Sequence, residues 1–226
     1  MKLVVIVLLT ATMQLALLQD ALAGSSILSN PGLDRLNRES GGTLEAVWNE
    51  STRTPAVLAG MLSGPSDHSP EWIAGTFVKR NKKLYGLRYP DRDMRIVDVV
   101  KQPGAFLEVG FRLYLYDTPV WGDGLTVQID ERGIIRRVEG RVHYDLRKAT
   151  FHRSKHAAIS EQEAIATAEA AWKDSGLGVR AASVQKYYLP TRPSVPLVYV
   201  VTLSLADQRE DQVMINALIN RVIAEF

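Results

Sequence analysis

The chain has no cysteine, which excludes disulfides, thiolate metal centres and a cysteine nucleophile. Charge of one sign is missing too. Lys and Arg number 27 against 25 Asp and Glu, a formal net charge of +2, so nothing argues for nucleic acid as the main partner. With 46% hydrophobic and 23% charged residues, the composition is neither that of a disordered or fibrous chain nor that of a multi-span membrane protein. Catalytic strings are absent as well. There is no H-E-x-x-H, no G-x-S-x-G and no P-loop, and Gly60 and Gly64 form no phosphate cradle. The four histidines are His68, His143, His152 and His156. The last two have i, i+4 spacing, yet no carboxylate lies between them and they sit in a basic stretch, where solvated side chains are the plain expectation. No catalytic residue, metal or cofactor is expected.

What is there begins with an address. Lys2 and the amino terminus precede the apolar run Leu3–Leu9, and Ala21-Leu22-Ala23 supplies small residues for a signal peptidase. Gln14, Gln19 and Asp20 leave that stretch too short and polar for a comfortable membrane span of about 20 apolar residues. Residues 1–23 therefore read as a signal peptide. Secretion or a periplasmic, cell-envelope location follows, with no stable membrane anchor after cleavage.

The remaining length suits one large domain or two small ones. Residues 24–42 have little periodicity and read as a flexible lead-in. Leu44, Ala46 and Trp48, the polar turn Asn49–Arg53 and the run Ala56–Leu62 suggest a hairpin. Ser69-Pro70-Glu71 has the chemistry of a helix start. Trp72, Ile73, Thr76, Phe77, Arg80 and Leu84 follow with helical spacing, and Gly86 supplies the stop. From Leu107 the period changes to two, and Leu107, Val109, Phe111, Leu113 and Leu115 alternate with polar residues as in a half-buried strand. Leu125–Ile129, the turn Asp130–Gly133 and Ile135–Val142 complete an antiparallel meander. Residues 143–159 read as a linker within a basic window. From Arg132 to His156 eight basic residues face two acids, Glu139 and Asp145. Ser160 and Glu163 make a capping box. Ala164, Ile165, Ala168, Ala171 and Trp172 form the stripe of a helix ended by Ser175-Gly176. Strands over Val184–Leu189 and Leu197–Ala206, flanking a loop shaped by Pro193 and Pro196, and two short ones within Val213–Phe226 close the chain. Each half thus reads as one main helix on an antiparallel sheet, an α+β plan of two consecutive units.

That order of pieces resembles the propeptides of secreted thermolysin-like and fungalysin-like metalloproteases, an FTP region followed by a PepSY region. The likeness runs from about Leu44 to Phe226. Thr54-Pro55 and Gly60 match the first motif, with Arg53 where Gly is usual, and Tyr85-Gly86-Leu87 matches the end of the first helix. Phe111, Pro119, Val120 and Gly122 match the strand and its corner, with Leu113 for Gln and Asp117 for Gly. Gly133 and Gly140 match the hairpin that follows. Ser160 and Glu163 match the second helix start, and Asn220 stands where Gly is common. The resemblance implies cystatin-like or PepSY-like units, an FTP-like domain over 43–142 and a PepSY-like domain over 160–226. It also implies a partner: a thermolysin-like metalloprotease domain, which the chain would inhibit or help to fold. Two other readings are an exported PepSY-type envelope module unrelated to proteases, and a protease precursor truncated before its catalytic domain. Arg112, Tyr114, Tyr116 and Trp121 are candidate partner-binding residues, because Tyr, Trp and Arg dominate interface hot spots. Glu225 and Phe226 form a second candidate, a tail whose terminal carboxylate can block an open zinc position.

Overall fold

The computed structural model describes residues 30–102, 106–150, 152–172, 179–191, 196–206 and 209–223. The expected signal peptide, the helix stop at Ser175-Gly176, Pro193 and the tail residues Glu225 and Phe226 lie outside the described residues.

The first element is a helix, α1 (Pro31–Glu39), inside the segment expected to be a flexible lead-in. Asn30 caps it by accepting from the Gly32 N–H, and Pro31 begins it without an orphan N–H. Leu33 and Leu36, one turn apart, are buried. The expected hairpin follows as β1 (Glu45–Asn49) and β2 (Thr54–Ala59). Next comes α2 (Pro70–Arg80), where the Ser69 hydroxyl accepts from the Trp72 N–H at 3.3 Å. Its buried rows are Ile73/Phe77 and Ala74/Val78, four residues apart within each row, so Trp72, Thr76 and Arg80 of the expected stripe turn outward. A short α3 (Pro90–Asp93) leads into β3 (Met94–Lys101), which the sequence pattern did not suggest.

The meander is β4 (Leu107–Leu115), β5 (Thr118–Ile129) and β6 (Ile135–Arg141). A single turn, α4 (Leu146–Ala149), lies in the expected linker and buries Leu146. Then come α5 (Glu161–Trp172), β7 (Val179–Tyr188), β8 (Leu197–Leu205), β9 (Glu210–Asn216) and β10 (Arg221–Val222). In α5 the buried residues are Ala164 and Ala168. Ile165 and Trp172 pack partly against the core, and Ala171 is exposed.

The expected α+β class, two antiparallel sheets each packed by one main helix, is overturned. All ten strands belong to one curled, mixed sheet in the order β1-β2-β6-β5-β7-β8-β9-β10, with β4 also on β5 and β3 on β4. The helices are short accessories to it. The physical reason lies in β5. Its first residues pair with β7 in parallel, Val120 opposite Tyr188, and from Gly124 onward its neighbour is β6. Between them stands Gly122, at φ +72. A parallel link between positions so far apart in sequence leaves no local period to read. One hydrophobic cluster runs through both halves, from Leu33 and Phe77 through Val120 and Tyr188 to Ile215. Among the described residues no helix is long and apolar enough to cross a membrane.

Candidate functional site: a cation and tyrosine recess at the β4–β5 hairpin

The turn between β4 and β5 is two residues long. Leu115 pairs with Thr118, and the connecting Tyr116 and Asp117 both hold left-handed backbone, φ 50 and 63. Two successive positive φ values match the right-handed twist of the flanking strands. Asp tolerates this conformation well, whereas for Tyr it is unusual. Along β4 the core side takes Val109, Phe111, Leu113 and Leu115. The alternation therefore sets Arg112 and Tyr114 on the opposite face, as expected.

Around this hairpin cations stack on tyrosine rings. The Arg95 guanidinium of β3 lies 4.3 Å from the Tyr114 ring centre and pairs with Asp117. Tyr116 has Lys155 at 4.5 Å and Arg147 at 4.9 Å from its ring centre. Arg92 lies 4.7 Å from the ring of Tyr89, and Arg147 lies 5.7 Å from it. Asp93, largely buried, accepts from Arg147 at 2.8 Å and from Arg92 at 3.1 Å. Arg147 Nε is shut from solvent and has no acceptor. Arg92, Asp93, Arg95, Tyr114, Tyr116, Asp117 and Arg147 line a recess of about 200 Å³. Behind it, Tyr188 packs 6.1 Å from Tyr116 and donates its hydroxyl to Ser154 O at 3.0 Å. Burial, with the Tyr116 phenol a lesser influence, pushes the Tyr188 hydroxyl up to about 12.

Of the candidate binding residues, Tyr114 and Tyr116 meet in this recess. Trp121 does not. It packs edge-on to Tyr187, ring centres 5.0 Å apart, beside a separate open groove of about 560 Å³ that it shares with Arg112, Arg141 and the sheet glycines Gly110, Gly124 and Gly140. Sequence reasoning missed Tyr89, Arg92, Asp93 and Arg95. The run from Arg88 to Arg95, three arginines in eight residues, was the available signal. Arg147 and Lys155 belong to the basic window already noted.

Other polar groupings hold the fold. The Asp123 carboxylate, fully enclosed, accepts the His143 backbone N–H at 2.8 Å and lies 2.9 Å from His143 Nδ1. Asp130 accepts from the N–H groups of Arg132 and Ile134 and from Arg136 Nε. Burial raises its carboxyl, but these hydrogen bonds outweigh that and leave it below the ordinary value. The capping box is present: Ser160 N–H donates to Glu163 at 2.8 Å, Glu163 N–H donates to Ser160 Oγ at 3.2 Å, and the Ser160 contacts lower the Glu163 carboxyl. His152 and His156 are exposed, and no group of three or more His, Asp or Glu suited to a metal occurs among the described residues.

The residues that carried the family resemblance occupy structural positions. Pro55, Phe111, Pro119 and Val120 are buried. Gly60, Gly86, Gly122, Gly133 and Gly140 all have positive φ, as do Arg53 (59), Asp117 (63) and Asn220 (52). No protein-family model matches the chain.

Proposed function

We propose that this chain is an exported, non-enzymatic protein-binding module that acts on a thermolysin-like metalloprotease as inhibitor or folding chaperone. The observation that carries the link to that family is backbone geometry. Arg53, Asp117 and Asn220 are the places where the resembled propeptides have Gly, and all three keep the left-handed conformation that favours Gly. A chance match of motifs would not select positions of positive φ, since few non-Gly residues adopt it. The binding surface in this reading is the recess at the β4–β5 hairpin, where aromatic rings and guanidinium groups of the hot-spot type are already ordered.

The test is direct. The purified protein, lacking residues 1–23, is mixed with a thermolysin-like protease, and hydrolysis of a small substrate is followed over time. Slow or tight inhibition, or a raised yield when the unfolded protease refolds in its presence, supports the proposal. No effect in both assays refutes it. The second reading, an envelope module unrelated to proteases, is favoured by the replacement of the family's Gln by Leu113, which is buried. It predicts that immobilised protein retains no metalloprotease from culture supernatant.

A further inference from the structure

The recess at the hairpin holds more positive charge than it neutralises. Three guanidinium groups, Arg92, Arg95 and Arg147, face two carboxylates, Asp93 and Asp117, leaving one positive charge, and Lys155 Nζ lies 4.5 Å from the Tyr116 ring centre. The two carboxylates are not equivalent. Asp93 is buried between Arg92 and Arg147 and belongs to the frame. Asp117 is 81% exposed at the turn, and its partner Arg95 is 41% exposed, so their pairing is solvent-screened and contributes little. Asp117 occupies Arg95 in the way an external carboxylate would.

We propose that this recess binds the side-chain carboxylate of an acidic polypeptide segment on a protein partner, with Asp117 as an internal competitor that the incoming Asp or Glu displaces from Arg95. Two observations carry the assignment. A cavity of about 200 Å³ takes one short side chain and excludes a nucleotide-sized ligand. The guanidinium groups are held against Tyr89, Tyr114 and Tyr116, so their planar forks are ordered before the ligand arrives, which lowers the entropy cost of binding. Arg147 belongs with Asp93 to the frame of the recess, since its Nη2 is given to Asp93 and its Nε is shut from solvent. The inference rests on the reading of the chain as a protein-binding module and supplies the chemistry its partner must present.

The experiment uses a fluorescein-labelled hexaglutamate peptide, followed by anisotropy against the intact protein, with hexaglutamine and inorganic phosphate at matched ionic strength as competitors. Binding should weaken as salt rises. Arg95→Ala should weaken it about tenfold, Arg95→Lys by less, and Asp117→Asn should tighten it about threefold. Unchanged thermal midpoints show that the variants are folded, and Arg95→Lys and Asp117→Asn keep the test alive if Arg95→Ala is not. The proposal is overturned by absent binding, by equal affinity in all four proteins, or by displacement by phosphate as effective as by unlabelled hexaglutamate. Protease inhibition without peptide binding defeats the recess alone. Peptide binding without any effect on a protease defeats the metalloprotease assignment and leaves the recess standing.

Discussion

Val120 and Tyr188 face each other across the parallel seam between β5 and β7, and both are about 1% exposed. Through that pair the first six strands and the last four become one sheet with a shared main core, and a smaller cluster around Val198 and Met214 lies within the last strands. The chain should therefore unfold in a single cooperative transition. Urea titrations followed by far-UV circular dichroism and by tryptophan fluorescence should coincide, because Trp48 and Trp72 belong to the first half and Trp172 to the second. Val120→Ala removes two buried methyl groups at the junction and should cost about 2 kcal/mol without splitting the transition. Two resolved transitions in the unaltered protein would mean that the halves fold independently.

Tyr188 also sets a limit at high pH. Its hydroxyl titrates near 12 in the folded chain, against about 10 when exposed, chiefly because of burial. The folded state thus holds this proton to higher pH than the unfolded state does. Its contribution to stability is complete below pH 10 and is lost as pH rises from 10 towards 12. Burial raises Tyr85 and Tyr199 as well, Tyr199 with a smaller push from Glu161, so Tyr188→Phe should remove only part of the alkaline loss. At neutral pH the same change gives up the bond to Ser154 O and should cost about 1 kcal/mol. Urea midpoints at pH 7, 9 and 11 measure both effects. An identical slope in the variant would remove Tyr188 from the account.

Local signals were legible in the sequence and distant ones were not. The caps at Ser69 and Ser160, the alternation along β4 and the turn at Asp130–Gly133 each rest on residues within a few positions of one another, and each formed as expected. The seam at Val120 and Tyr188 has no such local trace, and it alone converts two small sheets into one. α1 had a signal in Asn30-Pro31 with Leu33 and Leu36, outweighed by the Gly and Ser around it. The direction of Trp72 depended on which of two adjacent helical rows meets the sheet. Trp72 instead lies 3.9 Å from His68, ring centre to ring centre, beside an open groove. The recess draws Arg92, Arg95, Tyr114 and Arg147 from separate segments, so only its two tyrosines were foreseen.

Gly86 and Gly41 have nearly the same left-handed backbone, φ 63 and 65, in different surroundings. A methyl group on Gly86 would meet the Asp145 backbone N at 2.6 Å and the Tyr144 ring at 2.8 Å, whereas nothing lies within 4 Å at Gly41. Gly41→Ala should cost about 1 kcal/mol, the strain of a left-handed alanine. Gly86→Ala adds a clash with the Asp145 backbone and should cost about 3 kcal/mol. Comparable losses in chemical denaturation would show that the segment around Tyr144 yields easily.

Asp123 follows Gly122 at the bend of β5 and anchors the chain leaving β6. Its enclosed carboxylate holds both the backbone N–H and the Nδ1 of His143, while Arg141 Nε is more distant at 3.6 Å and half exposed. Asp123→Ala strands two polar groups of His143 and should destabilise the fold by about 3 kcal/mol. Asp123→Asn keeps an oxygen for the His143 N–H and should cost about half as much. Arg141→Ala loses that screened contact and an exposed hydrogen bond from Nε to Gly122 O at 3.2 Å, and should fall within about 0.5 kcal/mol. Urea midpoints of the three variants test that order. If Arg141→Ala proved the most damaging, the charge on Asp123 would be serving the arginine, and the anchor at His143 would be incidental to it.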